Sequence, residues 1–159
     1  MHIVVEVVGG VVLDDVGIFR RRERLVIRLY MSKSQDIDES NKFNSGFKEA
    51  LGLIPKLESA GYKVETINTD ELSDEELIRI YKEVIIEISK KRQYGINSAF
   101  GSRSNPGYKF IGRTVPAVFL INEKTNEFTD VYPRQEFGRR AKTIKYCFED
   151  LLKDKVLAV

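Results

Sequence analysis

The residues best equipped for chemistry fall into two runs of opposite character. The segment Met31–Asn44 carries Ser32, Ser34, Asp36, Asp38 and Glu39. Carboxylates are hard oxygen donors suited to Mg²⁺ or Ca²⁺, yet the spacing lacks the glycine an EF-hand turn needs, so the run reads as an exposed acidic loop. The segment Lys90–Arg113 interleaves Lys90, Lys91, Arg92, Arg103, Lys109 and Arg113 with Tyr94, Phe100, Tyr108 and Phe110. Cations that neutralise phosphates beside aromatic faces that stack on bases are the makings of a single-strand nucleic-acid surface. No RRM, KH, helix-turn-helix or zinc pattern accompanies them. Cys147 is the only cysteine and His2 the only histidine. An intramolecular disulfide and a thiolate metal cluster within one chain are thereby excluded. A Cys/His dyad is disfavoured, because His2 sits at a terminus and Cys147 lies in a helical pattern. Cys147 is expected to be a small buried hydrophobe.

The elements that must position these residues follow from the hydrophobic pattern. Ile3–Val8 and Val11–Leu13 flank Gly9 and Gly10, which predicts a β-hairpin; Arg20, Arg21, Arg22 and Arg24 then mark a solvated connection. Leu25–Tyr30 alternates as a core strand. Phe47, Ala50, Leu51, Ile54 and Leu57 recur at helical spacing and Gly61 suits the C-terminal cap, although Pro55 predicts either a kink or a later start of the helix. Tyr62–Ile67 reads as a second strand. Ser73 and Glu76 form a capping box that opens a helix reaching Arg92. The stretch Gln93–Thr114 is longer than a routine connection. Val115–Ile121 and Phe128–Tyr132 read as strands, and Phe137, Ala141, Ile144, Phe148 and Leu151 predict a final helix. The acidic group Asp70, Glu71, Asp74, Glu75 and Glu76 suits the N-terminal end of the helix after Ser73. Arg134, Arg139, Arg140, Lys142 and Lys145 are expected on the solvated face of the last helix, with extension of an anion-binding surface as the alternative, and Arg134, Arg139 and Arg140 are the next candidates if a nucleic-acid site is not in Lys90–Arg113.

The 159 residues, 42% of them hydrophobic, suffice for one ordinary core. Charged residues make up 31% of the chain, but 26 basic against 24 acidic side chains leave only +2, so partners must be argued from local clusters. No leader-like opening and no apolar run of about 20 residues is present, from which a cytoplasmic protein with no membrane association is expected.

From Leu25 the order strand, helix, strand, helix, strand, strand, helix resembles the thioredoxin-like superfamily. Thr114-Val115-Pro116-Ala117-Val118 is similar to that family's third core strand, which a cis-proline opens. The resemblance implies an α/β fold, a thioredoxin-like three-layer sandwich with a βαβαββα core, over residues 25–159. Residues 1–24 are expected to form an N-terminal β-hairpin extension and a basic connection. Where redox members carry C-x-x-C, this chain reads Met31-Ser32-Lys33-Ser34-Gln35-Asp36. Serine neither ionises near neutral pH nor forms a mixed disulfide, so disulfide oxidoreductase activity is not expected. The resemblance brings the loop after the first core strand and the loop before Pro116 to one end of the sheet, where crevices form. The expected ligand-binding residues are Ser32, Ser34, Asp36, Arg103, Tyr108, Lys109, Arg113 and Pro116. The leading expectation is a non-redox binding module for a protein or anionic ligand at that polar end, with no cofactor. The alternatives are nucleic-acid association through 90–113 and an enzyme of unrecognised chemistry. The hairpin is expected to pack against the main sheet or to mediate homo-oligomer formation.

Overall fold

The computed structural model describes residues 5–8, 11–14, 24–34, 37–92, 94–95, 116–136 and 138–157. Strands β1 (Val5–Val8) and β2 (Val11–Asp14) pair antiparallel as a separate two-stranded sheet, as the double glycine predicts. The main sheet has four strands in the order β4 (Lys63–Asn68), β3 (Leu25–Met31), β6 (Ala117–Asn122), β7 (Phe128–Tyr132). β4 runs parallel to β3, whereas β6 is antiparallel to both β3 and β7.

Both central strands are apolar on either face because helices cover the two sides of the sheet. On one face, Ile27, Leu29, Val118 and Leu120 meet α1 (Phe47–Gly52), α2 (Ile54–Ser59) and α5 (Ile144–Leu157) through Phe47, Leu57, Ile144 and Phe148. On the other, Val26, Tyr30, Phe119 and Ile121 meet α3 (Asp74–Ile80) and α4 (Ile86–Arg92) through Leu77, Ile80 and Ile88. A π-helical turn, Tyr81–Ile85, joins α3 to α4. Phe119 stacks in tilted contact with Tyr30 at 5.2 Å and edge-on with Phe128 at 5.4 Å. Burying each such ring stabilises the fold by about 1.5–3 kcal/mol.

Several local expectations hold. Pro55 falls in the first turn of α2, where its missing N–H is harmless, and the expected kink becomes a break at Leu53 between two short helices. Ser73 Oγ accepts a 3.1 Å hydrogen bond from the Glu76 amide, which forms the cap of α3. Cys147 is buried at 1% exposure.

Two expectations are corrected. The last helix starts at Ile144, because Arg134–Glu136 (β8) and Ala141–Lys142 (β9) form a small sheet with β5 (Tyr94–Gly95). Thr143 supplies the start signal: its Oγ1 accepts from the Tyr146 amide at 3.2 Å. Arg134 therefore does not lie on a solvated helix face. Its guanidinium donates to Asp130 at 2.6 Å and Glu136 at 3.3 Å, and its Cζ lies 4.3 Å from the centre of the Tyr132 ring. The Tyr132–Pro133 peptide is cis. The Val115–Pro116 bond, expected to be cis, lies outside the described residues. Among the described residues, no helix is long and apolar enough to cross a membrane.

Candidate functional site

Strand direction decides which loops meet. β3, β4 and β7 all point the same way, so the segments after Met31, Asn68 and Tyr132 emerge at one end of the sheet. Tyr30 is in register with Ala117, which brings Pro116, itself buried, to that end beside the residues following β3. Of the expected site residues, Ser32, Ser34 and Pro116 are thus brought together. Asp36, Arg103, Tyr108, Lys109 and Arg113 lie outside the described residues.

Ser32 is 3% exposed, and its hydroxyl lies 3.0 Å from each carboxylate oxygen of Asp70, to which it donates. The Ser34 amide donates to the same carboxylate at 3.1 Å. Asp70 follows β4 in a short 3₁₀ turn and does not act at the start of α3, which corrects its expected role. Hydrogen bonding from the Ser34 side chain, then from Ser32 and the amides of Ser34 and Lys33, holds the Asp70 carboxyl below its ordinary pKa. A carboxylate acidified this way is a weaker general base than an ordinary aspartate. The Ser32–Asp70 pair ties the ends of two parallel strands together.

The next loop is built by short polar bonds. Asp38 Oδ1 accepts from the Ser40 amide at 2.9 Å and the Ser40 hydroxyl at 2.5 Å, and these bonds, the hydroxyl's foremost, lower the Asp38 pKa. Asn44 is buried and donates through Nδ2 to the Asp38 carbonyl at 3.1 Å. Gly46 then takes φ +79°, a left-handed conformation that ends the loop and starts α1. A Cβ there would lie 2.7 Å from Cδ of Lys145, so the first turn of α5 rests directly on this glycine.

Across from the loop, the chain leaves β8, turns through Gly138 at φ +69°, and passes Arg139 and Arg140 before Thr143 caps α5. Between loop and turn lies an open cavity of about 550 Å³, lined by Ser40, Lys42 and Ser45 on one side and Arg139, Arg140 and Thr143 on the other. Glu39 also lines it, with its carboxylate accepting from the Lys48 amide at 3.2 Å. Among the described residues, Lys42, Arg139 and Arg140 have no carboxylate within 4.0 Å, unlike the neighbouring Lys142 and Lys145, which pair with Glu136 and Glu49. The cavity presents these three cations and the hydroxyls of Ser45 and Thr143 at a helix N-terminus, a set that favours an anion, while the Ser40 proton is engaged with Asp38.

Comparison with protein-family models, curated proteins and solved structures yields no match. Function therefore rests on the site itself.

Sequence reasoning misses Lys42, Ser40, Ser45 and Thr143 as site residues, and places Arg139 and Arg140 on the helix, with an anion-binding surface only as their second reading. Thr143 immediately before the apolar run of α5 is the available signal, since threonine there is a standard N-cap. Metal binding gains no support from Asp38 and Glu39, which are engaged with Ser40 and Lys48. Among the described residues, no three metal-ligating side chains come together.

Proposed function

We propose that the chain is a non-redox, thioredoxin-like binding module that takes an anionic, phosphate-type group in the cavity between residues 39–45 and 135–143. Three cations with no carboxylate within 4.0 Å among the described residues outnumber the one carboxylate of the cavity, Glu39, which accepts from the Lys48 amide, and this excess of positive charge carries the reading. The thioredoxin-like assignment is supported by the strand order β4-β3-β6-β7, with only β4 parallel to β3 among the neighbours of β3, and by helices on both faces. The polar end of the sheet is where that resemblance expects recognition.

A binding role suits a cavity lined by Lys42, Arg139, Arg140, Ser45 and Thr143, whose one carboxylate, Glu39, is bonded to the Lys48 amide. An anionic ligand is favoured over a nucleic acid bound by the start of the basic run, because Lys90 pairs with Glu87 at 3.6 Å and Glu83 and Glu127 share the same cleft.

Thermal unfolding with pyrophosphate tests the proposal. At a ligand concentration ten times Kd, selective binding to the folded state adds about 1.4 kcal/mol, or roughly 3–6 °C for a domain of this size. The triple variant Lys42→Gln, Arg139→Gln, Arg140→Gln should lose that gain at matched ionic strength. An equal gain in the variant, or none in the native chain, refutes the proposal.

A further inference from the structure

A second cavity, of about 660 Å³, opens at the opposite end of the sheet between α4 and the β6–β7 turn. That volume lies in the range of about 300–1,000 Å³ typical of small-ligand pockets. Its apolar lining comes from Val84, Ile88 and Phe128, all belonging to the core cluster on that face. Ile88 is 6% exposed, whereas Val84 and Phe128 are half-buried and offer surface to an occupant.

The charges around this floor divide into spent and unspent groups. Glu83 pairs with Arg79 at 3.4 Å and Lys90 with Glu87 at 3.6 Å, while Arg92 donates to the Thr129 carbonyl at 2.9 Å. Lys91 on α4 and Glu127 on the β-turn are exposed and, among the described residues, have no ion-pair partner within 4.0 Å. Lys91 and Glu127 thus belong to opposite walls of an apolar-floored cavity, and Arg92, whose guanidinium is tied to a neutral carbonyl and stays charged, lies on the Lys91 side. Glu83 and Val84 also lie in the π-helical turn Tyr81–Ile85, and such turns concentrate at functional sites.

We infer that this cavity binds a short peptide with apolar side chains and free termini, its ammonium group directed to Glu127 and its carboxylate to Lys91. The apolar lining supplies most of the affinity, because exposed ion pairs contribute little. The termini set the orientation. The site lies away from the anion cavity and shares none of its residues, so failure of either proposal leaves the other standing.

The test uses the full chain and the tripeptide Leu-Ala-Leu, with its N-acetylated and C-amidated forms, followed by amide chemical shifts and calorimetry. Leu-Ala-Leu should shift the amides of Val84, Ile88 and Phe128, and blocking either terminus should weaken binding about two- to fivefold. Glu127→Gln should abolish the difference between free and acetylated peptide only, and Lys91→Gln the difference between acid and amide only. No binding at millimolar peptide, equal binding of Gly-Gly-Gly, or blocked forms binding the native chain as tightly as the free peptide would each overturn the inference.

Discussion

Two glycines at the two ends of α1 should respond to alanine with opposite signs. Gly46 sits at φ +79°, and holding a residue with a Cβ in that left-handed region costs roughly 1–2 kcal/mol. The new Cβ would also lie 2.7 Å from Lys145 Cδ, so Lys145 must swing away and surrender its 3.0 Å contact with Glu49. Gly52 closes α1 with open space for 4 Å around the point a Cβ would occupy and no positive φ, so alanine there should stabilise by roughly 0.4–1 kcal/mol. Urea unfolding reads both. With a slope near 2 kcal/mol/M, Gly46→Ala should lower the midpoint by about 0.7 M while Gly52→Ala raises it by roughly 0.2–0.5 M. The two parts of the Gly46 penalty separate in a double-mutant cycle: the loss on Gly46→Ala should be smaller in a Lys145→Ala background, because the obstructing chain is gone. Equal losses in both backgrounds would refute the close approach, and a Gly46→Ala midpoint at or above the native value would refute the loop geometry that places Ser45 on the anion cavity.

Three further outcomes follow from the packing and charge arrangement. The Asp70 carboxyl should titrate below the ordinary aspartate range in side-chain NMR, and Ser34→Ala should move it upward. Because that folded-state value is lowered, the associated stability is complete above the ordinary range and is lost as pH falls through the lowered value. An unshifted Asp70 would remove the clamp between β3 and β4. Cys147, buried at 1% exposure with its thiol pKa pushed up by burial, should resist a disulfide reagent in the native state and react once the chain is unfolded in urea. Prompt native labelling would contradict its placement. Phe148→Ala should cost about 3–5 kcal/mol in urea unfolding, since the ring is fully buried between α5 and the sheet. A loss under about 1 kcal/mol would mean that this face is not close-packed.

The sheet is legible in the sequence because its central strands are unmistakable: Leu25–Met31 and Ala117–Asn122 are buried on both faces and read as nearly continuous apolar runs. α3 announces itself through Ser73 and Glu76. The β8–β9 hairpin does not, because strands of three and two residues have no measurable period, and their shape depends on Arg134 reaching Asp130 and Glu136. Ala141, three residues before Ile144, then mimics the helix period. The Ser32–Asp70 bond joins residues 38 apart in sequence, which no local pattern reports. The anion cavity is half visible. The polar loop stands out as one wall, but the sequence points first to Arg103–Arg113 for the basic wall and only second to Arg139 and Arg140, because the false helix period carries those two onto a solvated helix face.

Binding of a phosphate-type anion between the 39–45 loop and the start of α5 can be observed residue by residue. The isotopically labelled chain is titrated with pyrophosphate at constant ionic strength while its backbone amide shifts are followed. Saturable shifts should concentrate at Ser40–Ser45 and Arg139–Tyr146, and should be absent when Lys42, Arg139 and Arg140 are replaced by Gln. Shifts confined to Lys90–Arg92, or no saturable shifts at all, would contradict an anion site in this cavity.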